Sequence, residues 1–219
     1  MNLCPIMLKL AAKRAVVVGG GSVGLRKVRM LKGTGAQVTL VAETVPDDPQ
    51  LEGVEVIRRP YDPQFLGEPA LVFACTHDSA LNARIARDAR KAGAIVNCVD
   101  QPEDCDFYVP AVVVDGDVTV AIGTRGAAPA LAGRLKQCVA GALPERIGQF
   151  ARVLAGMRET VKNHVPDLRR RGTILKTLAG QETYEAFLAG GAEAVETVLK
   201  ELIRTETSED GNSNGDEKT

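Results

Sequence analysis

From Arg14 to Lys27 the chain reads Arg-Ala-Val-Val-Val-Gly-Gly-Gly-Ser-Val-Gly-Leu-Arg-Lys. A β-branched apolar run stops at three consecutive glycines, and a helix-compatible segment follows. Gly19, Gly21 and Gly24 stand at the G-x-G-x-x-G spacing. Gly19 permits a tight strand-to-helix turn, Gly21 removes a side chain where phosphates approach, and Gly24 lets the helix pack closely. Such a turn seats a dinucleotide pyrophosphate on a helix N-terminus. The next apolar run, Gln37 to Ala42, ends at Glu43, nineteen residues past Gly24. A carboxylate there accepts hydrogen bonds from ribose hydroxyls and repels a 2′-phosphate, so NAD is favoured over NADP. A blander reading makes this a structural turn of another α/β domain, with Glu43 a solvated loop acid.

The first half alternates strand and helix. Strands are expected at Ala15–Val18, Gln37–Ala42, Val54–Arg58, Ala70–Cys75 and Ala94–Val99, with helices over Val23–Leu31 and from a Ser79 cap to about Lys91. That alternation predicts a doubly wound parallel sheet. Then Pro110–Ile122 reads as a β-hairpin around Asp115-Gly116, followed by a helix from Pro129 to Leu143 with Leu131, Leu135 and Val139 on one stripe. After Pro144 the pattern is all-helical. Ile147, Phe150, Ala151, Leu154 and Val161 mark one face, and further helices fit Asp167–Leu178, Glu182–Leu188 and Ala192–Ile203. The fold class is therefore α/β, with a Rossmann-like NAD-binding domain over 1–112, a central dimerisation region over 113–143, a small helical domain over 144–204 and a disordered acidic tail over 205–219. The hairpin and its helix are too small to bury their own apolar faces; pairing with a second chain would complete them, or the helical segment of the same chain would cover them.

Net charge is −1, but the last fifteen residues hold five acids and one lysine, so the rest is mildly basic. That balance suits an anionic small molecule better than nucleic acid, which calls for a stronger basic stripe. The five cysteines, Cys4, Cys75, Cys98, Cys105 and Cys138, form no C-x-x-C pair, and their odd number argues against a disulfide framework. No signal-peptide pattern opens the chain, and no apolar run reaches the ~18 residues of a membrane span. A cytoplasmic protein with no membrane partner is expected. With only His77 and His164 as histidines and no clustered ligands, no resident metal site is expected.

Several motifs together resemble the precorrin-2 dehydrogenases, the dehydrogenase portions of sirohaem synthases. They are Pro5-Ile-Met-Leu-Lys-Leu, the run from Val16 to Lys27, Ala74-Cys-Thr-His-Asp78 with Asn82, Val96-Asn-Cys-Val-Asp100, Phe107-Tyr-Val-Pro110, and Val120 to Ala132. The order and spacing hold to about Gly148, and the helical remainder matches loosely. The resemblance implies NAD-dependent oxidation of precorrin-2 to sirohydrochlorin, for sirohaem or cobalamin, by a homodimer. Some relatives also insert ferrous iron, so a bifunctional chelatase for iron or cobalt stays open. So do a non-catalytic NAD-binding regulatory module and a dehydrogenase of another metabolite.

The family's dinucleotide contacts fall on Ser22, Val23, Glu43 and Thr44, and Cys75 and Thr76 should border the nucleotide because they follow a parallel strand. The family's key acid falls on Asp100. Chemistry supports that position, since a carboxylate beside the nicotinamide could take the proton released as a hydride leaves. Without the resemblance, Asp100 reads as a turn residue before Pro102. Precorrin-2 carries eight carboxylates, so Arg125 is a candidate salt-bridge partner just before a helix start. Asn97 is a candidate hydrogen-bond donor, and Thr124 stands where some bifunctional relatives have serine. Arg134 and Lys136 read as solvated charges. Many relatives have alanine at Gly24, which reads as a harmless difference. At this length no fused methyltransferase domain is expected.

Overall fold

The computed structural model describes residues 3–209. They form two units, one running to Val109 and taking in Thr124–Ala128, the other holding Pro110–Gly123 and the chain from Pro129 on.

The first unit is a five-stranded, all-parallel sheet: β1 (Arg14–Val18), β2 (Gln37–Val41), β3 (Glu55–Ile57), β4 (Leu71–Ala74) and β5 (Ile95–Cys98), in the order β3-β2-β1-β4-β5. The central strand shows why the sequence takes this form. Its side chains alternate in direction, so Val16 and Val18 enter one buried cluster while Ala15 and Val17 enter the other. Both faces are dry, hence the unbroken apolar run. Helix α1 (Ser22–Lys32) sends Val28 and Leu31 onto one face; helix α2 (Ser79–Lys91) sends Ile85, Ala86 and Ala89 onto the other. The strand order reverses between β1 and β4, so the carboxyl ends of these two neighbours flank a crevice where α/β sheets bind ligands.

Helix α2 is capped by Asp78 instead of Ser79: the Asp78 carboxylate accepts from the amides of Ala80 and Leu81 at 2.9 and 3.1 Å. A carboxylate satisfies two orphan donors and complements the helix dipole, which a hydroxyl does less well. The sequence reading has no 3-10 turns; among the described residues three occur, each opened by proline at Pro49, Pro63 and Pro102.

In the second unit β6 (Ala111–Asp115) and β7 (Val118–Ile122) pair antiparallel, with Asp115 opposite Val118. The hairpin loop is thus Gly116-Asp117, one residue later than expected, with Gly116 at φ 50°. Helix α3 (Pro129–Ala142) buries Ala132, while Leu131 and Leu135 of the expected apolar stripe are exposed. Helices α4 (Ile147–His164), α5 (Leu168–Leu178) and α6 (Gln181–Glu209) enclose Phe150, Met157, Val161, Ile174, Leu178, Phe187, Val195 and Leu199. Phe150 meets Tyr184 edge-on and Phe187 at a tilt, with centroids 5.3 Å apart in each pair. Gly191 (φ 66°, ψ −149°) breaks α6 between the two helices expected there. Residues 205–209 of the expected disordered tail are helical, and 210–219 lie outside the described residues. Among the described residues no helix is long and apolar enough to cross a membrane.

Candidate functional site: the carboxyl edge of the parallel sheet

The glycine turn is built from backbone packed against backbone. Gly19 lies at φ 119°, donates to Val41 O at 2.9 Å, and a Cβ on it would overlap Cys75 O on β4's exit. A Cβ on Gly24 would overlap Gly19 O, so α1 enters against the turn itself. The change to alanine that the sequence reading calls harmless therefore requires this turn to shift. Gly20, which the reading leaves out, is equally committed: its Cβ would overlap Thr44 O. Only its place between two fingerprint glycines signalled this.

Gly21 differs. A Cβ there meets nothing within 4 Å. Gly21 is also the N-cap of α1, with no side-chain cap and no acid in the first turn. The first intrahelical bond runs from Leu25 N–H to Gly21 O at 3.0 Å, which leaves the amides of Ser22, Val23 and Gly24 without intrahelical acceptors. Open space before unsatisfied donors at the positive end of a helix fits a diphosphate.

Glu43 and Thr44 follow β2, are exposed, and are held beside the turn by the Gly20–Thr44 approach. Cys75 and Thr76 follow β4 on its other side, with Cys75 N–H donating to Val18 O at 2.7 Å. Asn82, buried on α2, fixes this second loop. Its Oδ1 accepts from Thr76 N–H and Oγ1–H at 3.1 and 2.7 Å, and its Nδ2 donates to Thr76 O at 3.0 Å. Burial pushes the Cys75 thiol up to about 11, which makes it a neutral wall and no nucleophile. The sequence reading also gave no role to Lys27. Its ammonium sits 5.1 Å above the Phe73 ring, its pKa is lowered by desolvation, and among the described residues it forms no ion pair.

Asp100 follows β5, level with Thr76 in the strand register, and is exposed in the left-handed region at φ 60°. Asn97 is a correction. It is buried, and its Nδ2 donates to Phe107 O at 2.9 Å and lies 3.4 Å from Cys105 Sγ. Both amide hydrogens are engaged within the chain, so it shapes the loop and is not a free donor. Thr124 is also turned inward on its own segment: its Oγ1 accepts from Ala128 N–H at 3.3 Å and its carbonyl from Ala127 N–H at 3.0 Å. Arg125 is exposed at φ 55° in the same turn. Among the described residues no group of three or more His, Cys, Asp or Glu side chains is placed to hold a metal ion.

The site and sheet define a dinucleotide-binding domain of the Rossmann class, carried with a separate helical region. Residues 6–111 match a family model described as "Putative NAD(P)-binding", and residues 146–203 match the "Sirohaem synthase dimerisation region". The sirohaem synthase of Methylococcus capsulatus is 38% identical over 206 residues, covering 92% of this chain and 43% of that one. That of Ectopseudomonas mendocina is 34% identical over 205 residues, covering 93% and 44%. A solved precorrin-2 dehydrogenase, SirC, shares the fold, with a TM-score of 0.72 at 24% identity over 90% of this chain and 100% of that one. The chain belongs to the sirohaem synthase family over the part that these matches cover. It spans less than half the length of the curated relatives it matches. The stretch matched as the dimerisation region is α4 to α6, whereas the sequence reading placed that role on 113–143.

Proposed function

We propose that the protein oxidises precorrin-2 to sirohydrochlorin, with NAD as the electron acceptor. The observation that carries this is the room at Gly21, at a helix start where the amides of Ser22, Val23 and Gly24 have no intrahelical acceptor, in a chain with these relatives. Bound NAD+ supplies the hydride acceptor. In the overall change one C–H bond gives up its electron pair and hydrogen as hydride, a second hydrogen leaves as a proton, and NADH and sirohydrochlorin result.

The chain's own residues hold and orient. The amides at α1's start take the diphosphate. Glu43 accepts the ribose hydroxyls and disfavours a 2′-phosphate, and Thr44, Cys75 and Thr76 wall the crevice. Asp100 accepts the proton at its carboxylate oxygen. Arg125 pairs with a substrate carboxylate; Lys27 is a second cation of the same unit for that anionic ligand.

A homodimer belongs to the same reading. It is supported by the match of residues 146–203 and by the exposed Val114, Leu131 and Leu135 on the hairpin and α3. A cytoplasmic setting fits the five free thiols. Iron or cobalt insertion would make the metal a substrate, passed without a resident ligand cluster.

The test is to incubate the protein with precorrin-2 and NAD, follow sirohydrochlorin absorbance, and then add ferrous iron or cobalt. Turnover should need NAD and fall by about two orders of magnitude or more in Asp100→Asn, the usual scale of general acid–base assistance. Full turnover in Asp100→Asn removes the acid role, and binding of NAD with no turnover of precorrin-2 favours a non-catalytic sensor.

A further inference from the structure

β5 is the edge strand of the sheet, and an edge leaves outward-facing N–H and C=O groups in need of partners. Here the chain turns back after Asp104 and covers that edge. At Val96 the cover is of the ordinary kind: Asp106 N–H donates to Val96 O at 2.8 Å, and Asp106 Oδ2 accepts from Val96 N–H at 2.9 Å. Arg90 secures this residue from behind, donating to Asp106 Oδ1 at 3.0 Å and to Asp104 O at 3.0 Å. At Cys98, the next outward-facing residue, a sulfur takes over. Cys105 Sγ accepts from Cys98 N–H at 3.2 Å and lies 3.1 Å from Cys98 O, 3.3 Å from Gln101 O and 3.4 Å from Asn97 Nδ2.

A thiol carries one hydrogen, so the S–H is shared between the carbonyls of Cys98 and Gln101. Only Val99 and Asp100 lie between those two residues. The sulfur therefore ties the last residue of β5 to the residue after Asp100, across a turn in which Asp100 holds φ 60°, a conformation that a residue with a Cβ keeps only when its surroundings enforce it. Desolvation raises the Cys105 thiol above its ordinary value, so it stays an S–H donor at neutral pH.

We propose that Cys105 is the positioning residue for Asp100, its thiol fixing both ends of the turn and thereby the direction of the carboxylate. The inference rests on the reading of Asp100 as the proton acceptor. An apolar residue of similar size would fill the same space and leave the amide of Cys98 and the carbonyls of Cys98 and Gln101 without their common partner.

The experiment compares Cys105→Val, Cys105→Ser and Asp100→Asn by sirohydrochlorin formation and by NAD titration calorimetry. Cys105→Val should lower kcat about tenfold with NAD affinity and the KM for precorrin-2 unchanged, because the carboxylate is misdirected and no binding group is lost. Cys105→Ser keeps a donor and an acceptor and should restore kcat to within about threefold of the unaltered protein. Wild-type kcat in Cys105→Val beside an inactive Asp100→Asn overturns the positioning role alone. Full turnover in Asp100→Asn overturns the acid assignment first, and the positioning role with it. Should Cys105→Val fail to bind NAD, amide exchange in the unaltered protein decides. The Cys98 amide should be protected by about a hundredfold or more, and exchange at the open-chain rate would overturn the tie.

Discussion

Replacing Gly21 with alanine separates dinucleotide binding from folding. Gly21 lies at φ −75°, ψ 179°, which alanine adopts freely, and the new methyl meets no atom within 4 Å. Two folding effects oppose each other. Restricting the unfolded chain stabilises by about 0.4–1 kcal/mol. Exchanging a tolerated N-cap for a poor one costs a comparable amount, on the order of 0.5–1 kcal/mol. The net change is near zero, and at a urea slope of about 2 kcal/mol per molar the midpoint moves by less than about 0.3 M.

Binding responds differently. The methyl is added at the N-cap residue, at the helix start where phosphate oxygens need to come within about 2.9 Å of the Ser22, Val23 and Gly24 nitrogens. Holding the diphosphate off by even ~1 Å removes charge-assisted hydrogen bonds worth about 1.5–3 kcal/mol each. Losing two weakens NAD binding by about two orders of magnitude or more. Calorimetric titration with NAD, paired with urea unfolding followed by circular dichroism, reads both quantities. Wild-type affinity with an unchanged midpoint would refute the seat of the diphosphate. A midpoint lowered by more than about 1 M would refute the open geometry from which the argument starts.

Gly19→Ala should do the reverse, destabilising the fold by about 3 kcal/mol, because φ 119° is closed to alanine and the methyl overlaps backbone at Cys75; an unchanged urea midpoint would contradict this. The thiol of Cys75 is raised to about 11 and that of Cys98 to about 12, both chiefly by desolvation. Thiols of the unfolded chain release their protons first, so stability is fully present below about pH 9 and falls as pH rises toward 11. Denaturant midpoints at pH 8, 9.5 and 11 check the sign, and Cys98→Ala should flatten the slope. Arg125→Ala should raise the KM for precorrin-2 about tenfold and leave NAD affinity alone; an equal loss in both would place Arg125 on the dinucleotide instead.

The parallel sheet was legible because its strands are short, β-branched and buried on both faces, as Ala15–Val18 and Leu71–Ala74 are. Gly19 was legible because its φ of 119° is a demand of the turn itself, whatever packs against it. What escaped depends on how the folded loops meet one another. Gly20 is needed because Thr44 O approaches it, and Asn82 matters because it holds Thr76. Asn97 looked like a free donor beside Asp100 until Phe107 came back along the sheet edge to claim it. Asp78 and Ser79 are both good caps, and only the backbone placement chooses between them. The stripe Leu131–Leu135 had the period of a buried helix face, yet period reports a shared face and not what covers it.

The chain enters the sheet-bearing unit twice, since five residues, Thr124–Ala128, return to it after the hairpin has left. No single scission can therefore release that unit intact. A fragment ending at Val109 would retain the glycine turn, Glu43 and Asp100 yet surrender Arg125, so it should still grip the coenzyme while losing the cation proposed for the macrocycle.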